Sequence, residues 1–123
     1  ETGTHSLIAD EPEEVGGNNF GPSPYDLVSS GLAACTAMTL RMYSDRKKWD
    51  LKQVHAHVDY GKTHVQDCDP INDNCKKIDT FTREIELVGE LSDEQKQRLL
   101  VIANKCPVHR TLESEIQIKT SLK

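Results

Sequence analysis

The sequence predicts an α+β protein: antiparallel sheet around one long central helix. Three observations carry this reading. Two segments alternate apolar and polar residues with strand period. One long segment is small and apolar on every side. The order of elements runs β, long α, β, β, α, β. The 123 residues suit one domain, taken as 1–123. The chain has no initiator Met, which leaves room for an N-terminal strand ahead of it.

Residues 5–9, HSLIA, read as a short strand. The stretch 10–24, DEPEEVGGNNFGPSP, reads as loop, because its three prolines, three glycines and two asparagines disfavour regular structure. Ser23 then opens a helix: it can be the N-cap, Pro24 suits the first helical position, and Asp26 sits where a capping box puts its acid. The helix is expected to run to Lys48, about 37 Å at about 1.5 Å per residue. Its part LVSSGLAACTAMTL, 27–40, is apolar all round, and such a helix is buried on every face. In a chain this short, that requires wrapping by sheet or by a second subunit. Arg46, Lys47 and Lys48 suit the negative end of its dipole.

Residues 54–60, VHAHVDY, alternate as a half-buried strand. So do residues 79–91, DTFTREIELVGEL, with Phe81, Arg83, Ile85 and Leu87 on one side. The residues between, 62–78, read as a polar hairpin tip. Ser92 and Gln95 form a second capping box, and the helix they open stops before Cys106-Pro107, since a residue preceding proline avoids helical geometry. SEIQIKT, 114–120, reads as a last strand.

Charge and cysteine usage narrow the function. The net charge of −5 disfavours a nucleic-acid surface, and no run of 18 apolar residues crosses a membrane. The N-terminus lacks the basic start and apolar run of a signal peptide, which points to the cytoplasm, where thiols stay reduced. Of the four cysteines, Cys35 reads as a small packed hydrophobe or a reactive thiol. Cys106 ends a helix beside Pro107, His109 and Arg110, and a thiolate nucleophile needs such electropositive neighbours. Cys68 and Cys75, with His64 near, have the wrong spacing for a zinc knuckle; on oxidation they could close a loop tip as a disulfide. His55 and His57 share one strand face, an arrangement more often solvated than metal-binding, and no metal site is expected. A Cys-His-Asp triad has no support, because His109 lies three residues from Cys106 and nothing resembles an oxyanion loop.

Two stretches in order, GPSPYDLVSSGLAACTAMTLRMYSDRKKW and LLVIANKCPVHRTLESEIQI, resemble the OsmC/Ohr superfamily, the osmotically inducible and organic-hydroperoxide-resistance proteins, in its OsmC-like branch. The resemblance covers the chain from about His5. It implies an intertwined homodimer with sites at the subunit interface and no cofactor. It also implies a peroxidatic role for Cys35, a resolving role for Cys106, an organic hydroperoxide as substrate and an external dithiol as reductant, of the lipoyl type in the hydroperoxide-resistance branch. In that branch a glutamate stands at the position matching Tyr25 and fixes an arginine over the thiolate. Here Tyr25 stands there, with Asp26 next along as the candidate acid. No arginine precedes Arg41, which lies six positions after Cys35 on roughly the opposite helix face. Arg110, after Cys106 and His109, is the substitute candidate. The rival expectation is a weakly catalytic dimer that holds an apolar ligand at its interface or responds to redox state.

Overall fold

A computed structural model of the chain describes residues 2–64 and 76–123. The architecture is α+β: a 3-10 turn Glu13–Val15, helix α1 Pro24–Lys47, strands β1 Asp50–His64 and β2 Lys77–Glu90, then helices α2 Asp93–Ala103 and α3 Pro107–Leu112. Among the described residues β1 and β2 form a two-stranded antiparallel sheet. Contacts divide the chain into two units, one of Glu1–Ser30 with Val58–Arg83, the other of Gly31–His57 with Glu84–Lys123.

Both capping boxes form. At α1, the Ser23 N–H donates to the Asp26 carboxylate at 3.0 Å and the Asp26 N–H donates to Ser23 Oγ at 3.2 Å. At α2, the Ser92 N–H donates to Gln95 Oε1 at 2.9 Å and the Gln95 N–H to Ser92 Oγ at 3.1 Å. The far end of α1 closes in a Schellman arrangement. Lys48 takes a left-handed φ of 58°, the Lys48 N–H donates to the Asp45 carbonyl and the Trp49 N–H to the Ser44 carbonyl. That turn sends the chain straight into β1. Arg41 is spent on the same junction: its guanidinium donates to the carbonyls of Leu51 and Lys52 and pairs with Asp45.

In the first unit, the loop ahead of α1 is organised by one carboxylate. Asp10 accepts from the N–H groups of Glu11, Asn18 and Phe20 at 2.9, 3.0 and 3.2 Å. The donors from Phe20 and then Asn18 hold its carboxyl below the ordinary 3.8. A depressed folded-state value means the loop is favoured above 3.8 and loses that support as pH falls through the depressed value. The amide resonances of Asn18 and Phe20 are expected to titrate together in NMR at an apparent pKa below 3.8, and to stop doing so in Asp10→Asn. Titration at or above 3.8 would contradict this.

In the second unit, α1 and α2 pack with the start of the sheet. Leu40, Tyr43, Leu51, Leu99, Ile102 and Ala103 form the core, with Trp49, Val54, Ile85, Leu87 and Leu91 against it. Gly89, at φ 149°, brings β2 so close to the Asp50 carbonyl that a Cβ would collide with it. The Asp50 side chain returns the contact by accepting from the Glu90 N–H at 3.0 Å.

Several expectations are corrected. Residues 5–9 form no strand, only a bridge between Thr2 and His5. Residues 114–120 are not a strand either. Alternation there gives the capacity to pair, and neither segment meets a strand among the described residues. Strand β1 reaches His64 and β2 starts at Lys77, so the ends of the expected 62–78 tip are strand. The Glu13–Val15 turn interrupts the expected loop. Helix α1 is not covered on every face within one chain: Met38 and Met42 are 65% and 70% exposed, in line with exposed Ala34 at helical spacing. Cys68 and Cys75, which oxidation could join, lie outside the described residues.

Candidate functional site

Cys35 sits in mid-α1, half-buried, in a run of small and apolar residues. Its neighbour Thr36 is fully buried. The Thr36 hydroxyl donates back to the Leu32 carbonyl at 2.7 Å, the i−4 bond by which a threonine satisfies itself inside a helix.

Cys106 is also fully buried. Its position follows from the dipeptide Cys106-Pro107, which works twice. It ends α2, and it opens α3 with Cys106 as an extended N-cap (φ −62°, ψ 142°) and Pro107 in the first turn. The expected stop is therefore also a start, and α3 is a helix that the sequence reading missed. Cys106 Sγ accepts from the His109 N–H at 3.3 Å and lies 3.9 Å from Thr36 Oγ1. Because the Thr36 proton is directed to Leu32, the Thr36 oxygen is the acceptor in the second contact and the Cys106 S–H the donor. The α2–α3 turn thus brings Cys106 onto α1 at the residue next to Cys35, across 70 positions of sequence.

The supporting candidates divide. The His109 side chain pairs with Glu113, Nε2 to Oε1 at 3.1 Å, while its backbone serves Cys106. The Arg110 N–H closes the first turn of α3 on the Cys106 carbonyl, and its side chain is exposed. In the other unit, Asp26 is engaged by Ser23, whose N–H and then hydroxyl hold its carboxyl below 3.8. Tyr25 stacks flat on Tyr60, ring centroids 4.2 Å apart at 2°. Tyr60 donates to Asp79 Oδ1 at 2.5 Å, a bond to a carboxylate that raises the phenol above its ordinary 10.0. Phe81 completes this aromatic group at 5.2 Å from Tyr60. Asp26 is thus a cap and Tyr25 a ring in a stack.

Sequence reasoning missed Thr36. The available signal was a β-branched hydroxyl in the middle of an apolar helix, beside the cysteine. Of the histidines, His55 and His57 line an open groove of about 620 Å³ with Ala33, Ala37, Glu84 and Glu86. Among the described residues no group of three or more His, Cys, Asp or Glu side chains is arranged to hold a metal ion. No helix among them is long and apolar enough to cross a membrane.

Comparison with known proteins identifies a family and a fold. The profile of a family described as OsmC-like protein matches residues 16–121. The fold is similar to that of the organic hydroperoxide resistance protein OsmC of Legionella pneumophila, at 19% identity and TM-score 0.62, covering 85% of this chain and 71% of that one. It is similar also to an OsmC-like protein of Mycoplasma pneumoniae, at 19% identity and TM-score 0.61, covering 84% and 68%. An OsmC-like protein of unknown function from Vibrio cholerae matches at 11% identity and TM-score 0.60, covering 85% and 70%. At these identities the likeness is one of fold. No curated protein sequence matches the chain.

Proposed function

The chain belongs to the OsmC-like protein family, and from that premise we propose that it is a cytoplasmic thiol peroxidase that reduces organic hydroperoxides through a two-cysteine cycle. The observation that supports this reading is the seat of Cys106, 3.9 Å from the hydroxyl of Thr36, the residue after Cys35 in α1. Cys106, 70 positions further along the sequence than Thr36, meets the turn of α1 that also carries Cys35.

In the proposed cycle the Cys35 thiolate attacks the distal oxygen of the hydroperoxide. The O–O bond breaks, an S–O bond forms, and the alkoxide leaves to be protonated as alcohol. Cys106 then attacks the Cys35 sulfenic sulfur. The S–O bond breaks, hydroxide takes the Cys106 proton and leaves as water, and a disulfide remains. An external dithiol reduces it by exchange and is itself oxidised to a disulfide. The contacts of Cys106 suit the second step. Its sulfur is seated between the Thr36 hydroxyl and the His109 N–H, which fixes where the second thiol sits. Arg110 is the proposed cation for the Cys35 thiolate. Met38 and Met42 are the proposed seat of a second copy in a homodimer, since one chain leaves them bare.

One observation favours the rival reading, a weakly catalytic dimer holding an apolar ligand: Asp26 is tied into its cap and Tyr25 into its stack, which leaves neither position with an uncommitted acid. Mass spectrometry of the fully reduced protein after one equivalent of cumene hydroperoxide separates the two. A Cys35–Cys106 disulfide is the expected result. Four untouched thiols would remove the peroxidase reading and leave the ligand-binding one.

A further inference from the structure

The C-terminal end of α1 carries a cluster that the thiol chemistry does not use. Tyr43 is buried, and three cations gather on its ring. The guanidinium carbons of Arg46 and Arg98 lie 5.3 and 5.9 Å from the ring centroid, and Lys47 Nζ lies 5.8 Å away. Arg98 Nε donates to the Tyr43 hydroxyl at 3.1 Å, which leaves the phenol its own proton to give. Trp49, turned back by the Schellman closure, meets the same ring edge-on at 5.5 Å and 73°.

Cation–π attraction explains why each cation can lie over the ring. It does not explain why three like charges share one ring with no acid among them. The chain has 20 acidic side chains to 15 basic ones, so a cation has acids to choose from. Yet among the described residues none of Arg46, Lys47 and Arg98 has a carboxylate within ion-pair distance. The positive potential is felt locally: the Arg98 hydrogen bond, then the charges of Arg98, Lys47 and Arg46, hold the Tyr43 hydroxyl below its ordinary 10.0. Beside the cluster opens a cavity of about 600 Å³, lined by Tyr43, Lys47, Trp49, Glu94, Arg98 and Val101 among others. That volume is in the range of small-molecule sites. Its lining combines cations and a phenol donor with the apolar surface of Trp49 and Val101.

We propose that this cavity binds a phosphate monoester, its dianionic head between Lys47 and Arg98 with Arg46 behind, and its apolar body on Trp49 and Val101. The charge selects the class. A monocarboxylate would leave most of the positive charge unmatched, whereas a phosphate dianion answers it and offers oxygens to the arginine fork, the lysine and the phenol together. The same chemistry is offered by a free organic phosphate and by the headgroup of phosphatidic acid. The proposal does not depend on the peroxidase reading.

Trp49 is the single tryptophan of the chain and lines this cavity, so the protein's tryptophan emission reports from its wall. Titration with n-hexyl phosphate, which does not absorb in the tryptophan band, is expected to change that emission saturably with half-saturation below about 1 mM. Lys47→Gln, an exposed position where the fold is not at stake, should weaken binding about tenfold. Glu94→Gln should tighten it, and Lys119→Gln, which makes the same charge change elsewhere, should leave it unaltered. A second arm uses phosphatidylcholine vesicles with and without phosphatidic acid. Saturation by hexyl phosphate that Lys47→Gln weakens supports a free organic phosphate. A response only to phosphatidic acid vesicles, also weakened by Lys47→Gln, supports the headgroup. A response to neither, or one that Lys47→Gln alters no more than Lys119→Gln does, overturns the proposal.

Discussion

Cys35→Ser is expected to reduce turnover of cumene hydroperoxide with a dithiol by at least about a thousandfold, to the uncatalysed background. A serine hydroxyl at the same place cannot supply the polarisable thiolate sulfur that the O–O bond needs. Cys106→Ser is expected to fail differently. Its first turnover should proceed near the normal rate, releasing one equivalent of alcohol per chain, and then stop. The trapped Cys35 sulfenic acid should go on to sulfinic acid with excess peroxide. Rapid-quench measurement of the alcohol and mass spectrometry of the protein read both variants. The split between them is the informative part. If both lose the first turnover alike, Cys106 acts before the peroxide step and the division of roles is wrong. If Cys35→Ser keeps full turnover, the two-cysteine cycle is wrong altogether.

Much of this arrangement was legible in the sequence, for reasons that differ between elements. The two capping boxes are local: Ser23 with Asp26 and Ser92 with Gln95 lie within one turn, and the hydrogen bonds that define them need nothing from elsewhere. The paired strands are legible because Val54, Ala56, Ile85 and Leu87 alternate with exposed residues, and the structure half-buries that set. Segments 5–9 and 114–120 alternate too, but whether such a segment becomes a strand depends on a partner edge, which no local pattern encodes. Helix α3 is hidden in the sequence because Pro107 after Cys106 signals the end of α2, while proline is equally a favoured first residue of a new helix. The approach of Cys106 to Thr36 spans 70 positions, so no spacing rule reaches it. The family resemblance points to both cysteines and says nothing of what Cys106 touches. The physical reading adds Thr36, which satisfies itself on Leu32 and still leaves an oxygen facing the Cys106 thiol.

What holds Cys106 in that position is the packing of α2 on α1, and Leu99 is its centre. Leu99 is fully buried and belongs to one cluster with Leu40, Tyr43, Leu51, Ile102 and Ala103. Leu99→Ala removes its apolar surface from the core and leaves a hole that two helices and the sheet can only partly collapse, so the expected cost is about 2–5 kcal/mol. For a chain of this size that lowers the melting temperature by about 10 °C or more. The adjacent Leu100 is 51% exposed, so Leu100→Ala should cost less than about 0.5 kcal/mol although the chemical change is the same. Thermal unfolding of the two variants at equal protein concentration tests burial directly. Equal losses would place the core elsewhere. A functional corollary follows from the geometry. Ala103 ends α2 in the same cluster, three residues before Cys106, so a loosened α2 moves the Cys106 thiol on its seat at Thr36. At temperatures where Leu99→Ala is still folded, its first release of alcohol should stay near normal while closure of the Cys35–Cys106 disulfide slows. Leu100→Ala should slow neither.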